Sequence, residues 1–160
     1  MNVAGFLAEF PPFQGLAIDQ LARIAAATQV EFFPAGTTIL ERSGEPAAYL
    51  YVVRKGAVEI LDQGRLVDLI GEGETFGELS LVSGQGPVAS VRAAEDTLCY
   101  LIPRALAEEL LQSAGGTRFL ASVVIVNPGG TGRPMFVISA RLAPFPPRRS
   151  FMSLLPSEKS

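Results

Sequence analysis

The chain has 160 residues, 48% hydrophobic and 18% charged, with a net charge of −3, enough for one buried core plus an appendage and too apolar for a disordered chain. It has no histidine and one cysteine, Cys99. That excludes an internal disulfide framework, Ser-His-Asp and Cys-His catalysis, and the imidazole-ligated metal sites of the histidine-metal cupins.

The N-terminus, Met1 to Phe10, lacks a basic n-region and carries Glu9, unlike a signal peptide. Leu16 to Thr28 reads as a helix, with Leu21, Ile24, Ala25 and Thr28 on one face and Asp19 near its positive end. Strand signals follow at short, even intervals. Gln29 to Phe33 precedes Pro34-Ala35-Gly36, and Thr37 to Leu40 precedes Ser43-Gly44-Glu45-Pro46. Tyr49 to Val53 stops at Arg54-Lys55-Gly56. Ala57 to Leu61 and Leu66 to Ile70 flank Asp62-Gln63-Gly64-Arg65, a hairpin loop by composition. Val88 to Ala93 and Thr97 to Ile102 complete the set. Short strands with such glycine punctuation predict a mainly β domain, a jelly roll or barrel with flanking helices.

Pro103 is placed to open a helix in its first turn, with Leu106, Leu110 and Leu111 as the apolar stripe, fading at Ser113-Ala114-Gly115-Gly116. Beyond lies a different regime. Residues 1 to 114 carry a net charge of −8, whereas residues 115 to 160 carry +5 and no acid before Glu158. Phe119 to Val126 and Met135 to Leu142 are strand-like, and Asn127 to Pro134 is a turn or linker. Weak order is expected from about residue 127 in this Pro- and Arg-rich tail. The longest apolar run, Phe119 to Val126, is too short to span a bilayer. A cytoplasmic address is expected, with no membrane partner. The acidic body is a poor partner for DNA, which demands a basic face.

The most informative stretch is Thr75-Phe76-Gly77-Glu78-Leu79-Ser80-Leu81, followed by Pro87-Val88-Ala89-Ser90-Val91-Arg92-Ala93. With Phe33-Pro34-Ala35-Gly36-Thr37-Thr38-Ile39, Gly44-Glu45, Tyr49 to Val53 and Gly56 to Ile60, it makes residues 6 to 114 resemble the cyclic-nucleotide-binding domain of catabolite-activator-type regulators and kinase regulatory subunits. The resemblance implies that Glu78 accepts a hydrogen bond from a ribose 2′-hydroxyl. Gly77 then allows close backbone approach, and Leu79 and Ser80 open a short helix whose N–H groups face a cyclic phosphate. Val88 and Ala89 add backbone contacts from the strand opposite.

The family's phosphate-binding arginine falls at Pro87, which offers neither charge nor donor. Losing one partner of such a charge-assisted pair typically costs roughly 2–5 kcal/mol. Arg92, five positions on, is expected to point to the other face of its strand; Arg42, Arg54 and Arg65 stay open as replacements. Ser80 and Ser90 read as hydroxyls making local backbone bonds, and Cys99 as a small buried apolar residue.

The resemblance implies a non-catalytic regulatory sensor. Its ligand would be cyclic AMP or another cyclic nucleotide, Ala105 to Leu111 its moving segment, and a signalling effector or a second copy its partner. The alternative is a degenerate domain serving as a protein-interaction module. A DNA-binding regulator would need a helix-turn-helix after residue 114, and no such pair of helices is legible there. No metal ligand set or catalytic set is present in the sequence. Asp62 to Asp68 and Arg92 to Pro103 also look like the N-terminal sensor of bacterial proteins that continue into CBS and nucleotidyltransferase-like domains.

Overall fold

The computed structural model describes residues 2–113, 115, 116, 119, 123–126 and 136–140. Eight strands form two antiparallel four-stranded sheets. They are β1 (Gln29–Phe33), β2 (Thr38–Leu40), β3 (Tyr49–Lys55), β4 (Val58–Asp62), β5 (Arg65–Ile70), β6 (Thr75–Phe76), β7 (Ser90–Ala93) and β8 (Thr97–Pro103). One sheet runs β1-β8-β3-β6 and the other β2-β7-β4-β5. Consecutive strands repeatedly change sheet, which makes the expected jelly roll.

The strands form where the sequence alternates or runs apolar, and they turn where glycine permits. The β4–β5 turn carries Gln63 at φ 51° and Gly64 at φ 79°, the double left-handed geometry that suits a two-residue hairpin. Gly56, at φ 96°, turns β3 into β4. A Cβ there would lie 2.6 Å from Asp96 O and 2.9 Å from Thr97 Cα, so only glycine fits. The core is continuous across both sheets and includes Leu50, Val52, Val53, Val58, Ile60, Ile70, Val91, Cys99, Leu101 and Ile102. Each such aliphatic side chain contributes about 1.5–3 kcal/mol when buried.

Helices α1 (Val3–Leu7), α2 (Ile18–Ala27), α3 (Glu78–Ser83) and α4 (Arg104–Gln112) pack around the roll. The first was not anticipated. Asn2 caps it by accepting from Gly5 N at 2.7 Å, and it buries Phe6 and Leu7. Phe6 meets the Tyr100 ring edge-on at 5.6 Å. Pro103 closes β8 and serves as the N-cap of α4 rather than its first helical residue, because its ψ of 146° is extended. Helix α4 rests on β3, β8 and α3.

Two further strands, β9 (Val123–Val126) and β10 (Phe136–Ala140), pair antiparallel and fall within the two strand-like runs of the tail. β10 runs beside β5 and β6. Apart from β10, the weak order expected from residue 127 concerns residues outside those described. Among the described residues no helix is long and apolar enough to cross a membrane.

Candidate functional site

Strand β6 hydrogen-bonds to the edge of β3, with Thr75 opposite Val52 and Phe76 opposite Tyr51. Phe76 stacks on the Tyr51 ring at 4.7 Å. The chain then turns at Gly77, whose φ of 89° is left-handed and which caps α3. A Cβ at Gly77 would sit 3.2 Å from Tyr49 O and 3.4 Å from the Tyr51 ring, so both conformation and space favour glycine. The elbow delivers Glu78 as the first residue of α3.

Glu78 is 3% exposed and its Oε2 has no hydrogen-bond partner. Burial pushes its pKa from 4.5 up to about 7, opposed only by its own backbone N–H and by the nearby Thr75 hydroxyl. That hydroxyl is close enough to act on the carboxyl, yet it makes no hydrogen bond of ordinary geometry. Thr75 Oγ1 and Glu78 Oε2 are both buried without a partner. Orphaned oxygens of this kind are rare, and each is expensive to bury. Among the described residues, no group of three or more His, Cys, Asp or Glu side chains gathers as a metal site would.

The rest of the cassette is fastened down. Ser80 Oγ accepts from Ala47 N at 2.9 Å and donates to Gln85 O at 2.5 Å. Its hydroxyl is therefore structural, and only its backbone remains for a ligand. Leu79 is half-buried beside it. Gly84, at φ 71°, ends the helix. Pro87 is buried, and its carbonyl accepts from Ser43 N at 2.8 Å. Val88 is 39% exposed and Ala89 is buried. Both precede β7 rather than lying within it, a correction to the strand expected from Val88, since the chain is still turning away from Pro87 there. Ser90 Oγ accepts from Arg42 N at 3.0 Å.

None of the four arginines weighed as replacements engages Glu78. Arg92 points outward and pairs with Glu59 across the strands at 2.8 Å. Arg42 pairs with Asp62 at 3.0 Å. Arg54 lies 4.5 Å over the Phe6 ring and donates to the Tyr100 hydroxyl at 3.2 Å. Arg65 is exposed at the β4–β5 hairpin. Cys99 is fully buried and its pKa is pushed up to about 12, mainly by burial and then by Glu31, so the thiol stays protonated.

Thr75 is the site residue that sequence reasoning left without a role. Its signal was adjacency to the glycine elbow, which also brings its hydroxyl close to Glu78 three residues on.

Residues 30–114 match the model of the cyclic nucleotide-binding domain. Human cGMP-dependent protein kinase 2 is 31% identical over 106 residues, which cover 62% of this chain and 14% of the kinase. The chain thus spans a small part of the curated relatives it matches. The regulatory subunit of a cAMP-independent protein kinase A from Trypanosoma cruzi, bound to guanosine, superposes with a TM-score of 0.68 at 24% identity, covering 76% of this chain and 44% of that one. The Thermus thermophilus catabolite activator protein does so with a TM-score of 0.58 at 29% identity, covering 68% and 55%. The jelly roll, the glycine elbow at Gly77 and the matched span agree, and the chain belongs to the cyclic-nucleotide-binding domain family.

Proposed function

We propose that the chain is a non-catalytic, cytoplasmic sensor whose cassette takes up a ribose-bearing small molecule and passes its presence to a signalling effector or a second copy. One observation carries this reading: Glu78 presents a buried, unpartnered carboxylate oxygen directly after the Gly77 elbow. A ribose hydroxyl donating to it would satisfy that oxygen and offset its desolvation. Gly77, the backbone of Leu79 and Ser80, and the approach formed by Val88 and Ala89 would frame the sugar. Cyclic AMP and other cyclic nucleotides are the ligands expected from the family. The T. cruzi subunit bound to guanosine adds nucleosides to the class worth testing.

The output route runs through α4, which packs directly on α3. A ligand that moves α3 bears on α4, and α4 is tied to α2 by the Arg23–Glu109 pair at 2.6 Å. Both partners are largely exposed, so the tie is weak and easily exchanged. The response cannot exceed the ligand's difference in affinity between the two arrangements.

The test is thermal shift with cyclic AMP, cyclic GMP, adenosine and guanosine on the full chain and on Glu78→Ala. Stabilisation by one of them that disappears in Glu78→Ala is the expected result. If none stabilises the native chain at millimolar concentration, the sensor reading fails.

A further inference from the structure

The charges around the cassette restrict which ribosyl ligand it can hold. A cyclic nucleotide brings a phosphate monoanion into a site whose Glu78 is itself an anion once pH rises through about 7, so at that pH the phosphate needs a cation. Residues 1 to 114 contain seven basic side chains. Five are paired elsewhere: Arg23 with Glu109, Arg42 with Asp62, Arg92 with Glu59, Arg104 with Glu108, and Arg54 with Phe6 and Tyr100. Lys55 and Arg65 are exposed at strand ends. Among the described residues, none supplies a charge to Glu78.

Helix α3 cannot make up the difference. It has six residues, under two turns, and its partial positive end already faces the Glu78 carboxyl. Pro87, where the family carries its phosphate-binding arginine, has no charge to offer and is buried with its carbonyl held by Ser43 N, so among the described residues no cation is left for a phosphate. Meanwhile the two unpartnered oxygens, Glu78 Oε2 and Thr75 Oγ1, call for a ligand rich in neutral hydroxyl groups.

We propose that the cassette selects an uncharged ribonucleoside over the corresponding cyclic monophosphate, with the sugar hydroxyls on Glu78 Oε2 and Thr75 Oγ1 and no phosphate at the Pro87 wall. This rests on the reading that Glu78 receives a ribose. It goes further in naming the charge state of the ligand and Pro87 as the residue that sets it.

Titration calorimetry on the full chain tests it, with adenosine against cyclic AMP and guanosine against cyclic GMP. The preferred nucleoside should bind at least about tenfold more tightly than its cyclic monophosphate, the scale set by one missing charge-assisted contact. Pro87→Arg should shift the preference toward the cyclic monophosphate by at least about tenfold. Glu78→Gln, which keeps the size but removes the negative charge, should narrow the gap without a new cation, and it serves should Pro87→Arg not fold. If the native chain binds a cyclic monophosphate as tightly as its nucleoside, or more tightly, the charge selection is overturned while the ribose-sensor reading stands. If it binds none of the four, both fall together.

Discussion

Two buried threonines flank two left-handed glycines in this chain, and their surroundings differ. At the β3–β4 turn, Gly56 lies against Thr97, whose hydroxyl is 2.9 Å from Ala57 O and 2.7 Å from Glu95 O. At the β6–α3 elbow, Thr75 precedes Gly77 and its hydroxyl makes no hydrogen bond of ordinary geometry, and neither does Oε2 of the neighbouring Glu78. The first turn satisfies its own polar groups, as scaffold must in a low-dielectric interior. The second leaves two oxygens without a partner, which is the observation behind the proposed ligand site.

The largest effect that separates the two belongs to Gly56→Ala. The new Cβ would meet backbone atoms at 2.6 Å and 2.9 Å, and no side-chain rotation relieves that. A cost of more than about 4 kcal/mol is expected, large enough to unfold a domain of ordinary stability. At Gly77, by contrast, the nearest contact would be 3.2 Å. Alanine there should cost about 1–2 kcal/mol, mainly from the left-handed backbone. Urea denaturation of the two variants measures both. Equal costs would show that the elbow is as tightly built as the turn.

The next effect is the pH dependence contributed by Glu78. Its folded-state pKa is raised from 4.5 to about 7, so the folded protein holds this proton more tightly than the unfolded chain does. Its contribution therefore favours folding in acid, is lost as pH rises from about 4.5 through about 7, and is flat above. At about 1.4 kcal/mol per pH unit, the loss is on the order of 2–4 kcal/mol. Other carboxyls also titrate, so the quantity to measure is the stability difference between Glu78→Gln and the native chain. That difference should grow in favour of the variant from pH 5 to pH 8. A difference independent of pH would mean that the carboxyl is solvated.

Much of this was legible in the sequence, for reasons visible at particular residues. The strands of the roll were readable because β-branched and aromatic runs end at glycine turns such as Asp62-Gln63-Gly64-Arg65. The cassette was readable because Gly77-Glu78 follows a strand and opens a helix. Strand β6 was not, since two residues show no period. Nor was α1, whose Val-Ala-Gly-Phe-Leu is apolar on every face. Pro87 could be read as a missing charge, but the grip of Ser43 N on its carbonyl depends on a loop more than forty residues earlier in the chain. The isolation of Glu78 Oε2 was beyond sequence, because an unmet hydrogen bond is a property of everything around it.

The smallest effect is the sharpest test of the comparison. Thr97→Val removes a hydroxyl that serves two carbonyls, of which Ala57 O keeps a second donor in Ala94 N while Glu95 O loses this one. It should cost about 1–2 kcal/mol, the penalty for leaving one buried acceptor poorly served. Thr75→Val removes a hydroxyl with no hydrogen bond of ordinary geometry, so in the absence of ligand it should be neutral within about 0.5 kcal/mol or slightly stabilising. Because the Thr75 hydroxyl also holds the Glu78 pKa down, the same substitution should move the Glu78 titration further toward alkaline pH. The threonine that contributes least to folding would then be the one whose loss weakens ligand binding, and equal destabilisation by the two substitutions would place Thr75 in the scaffold with Thr97.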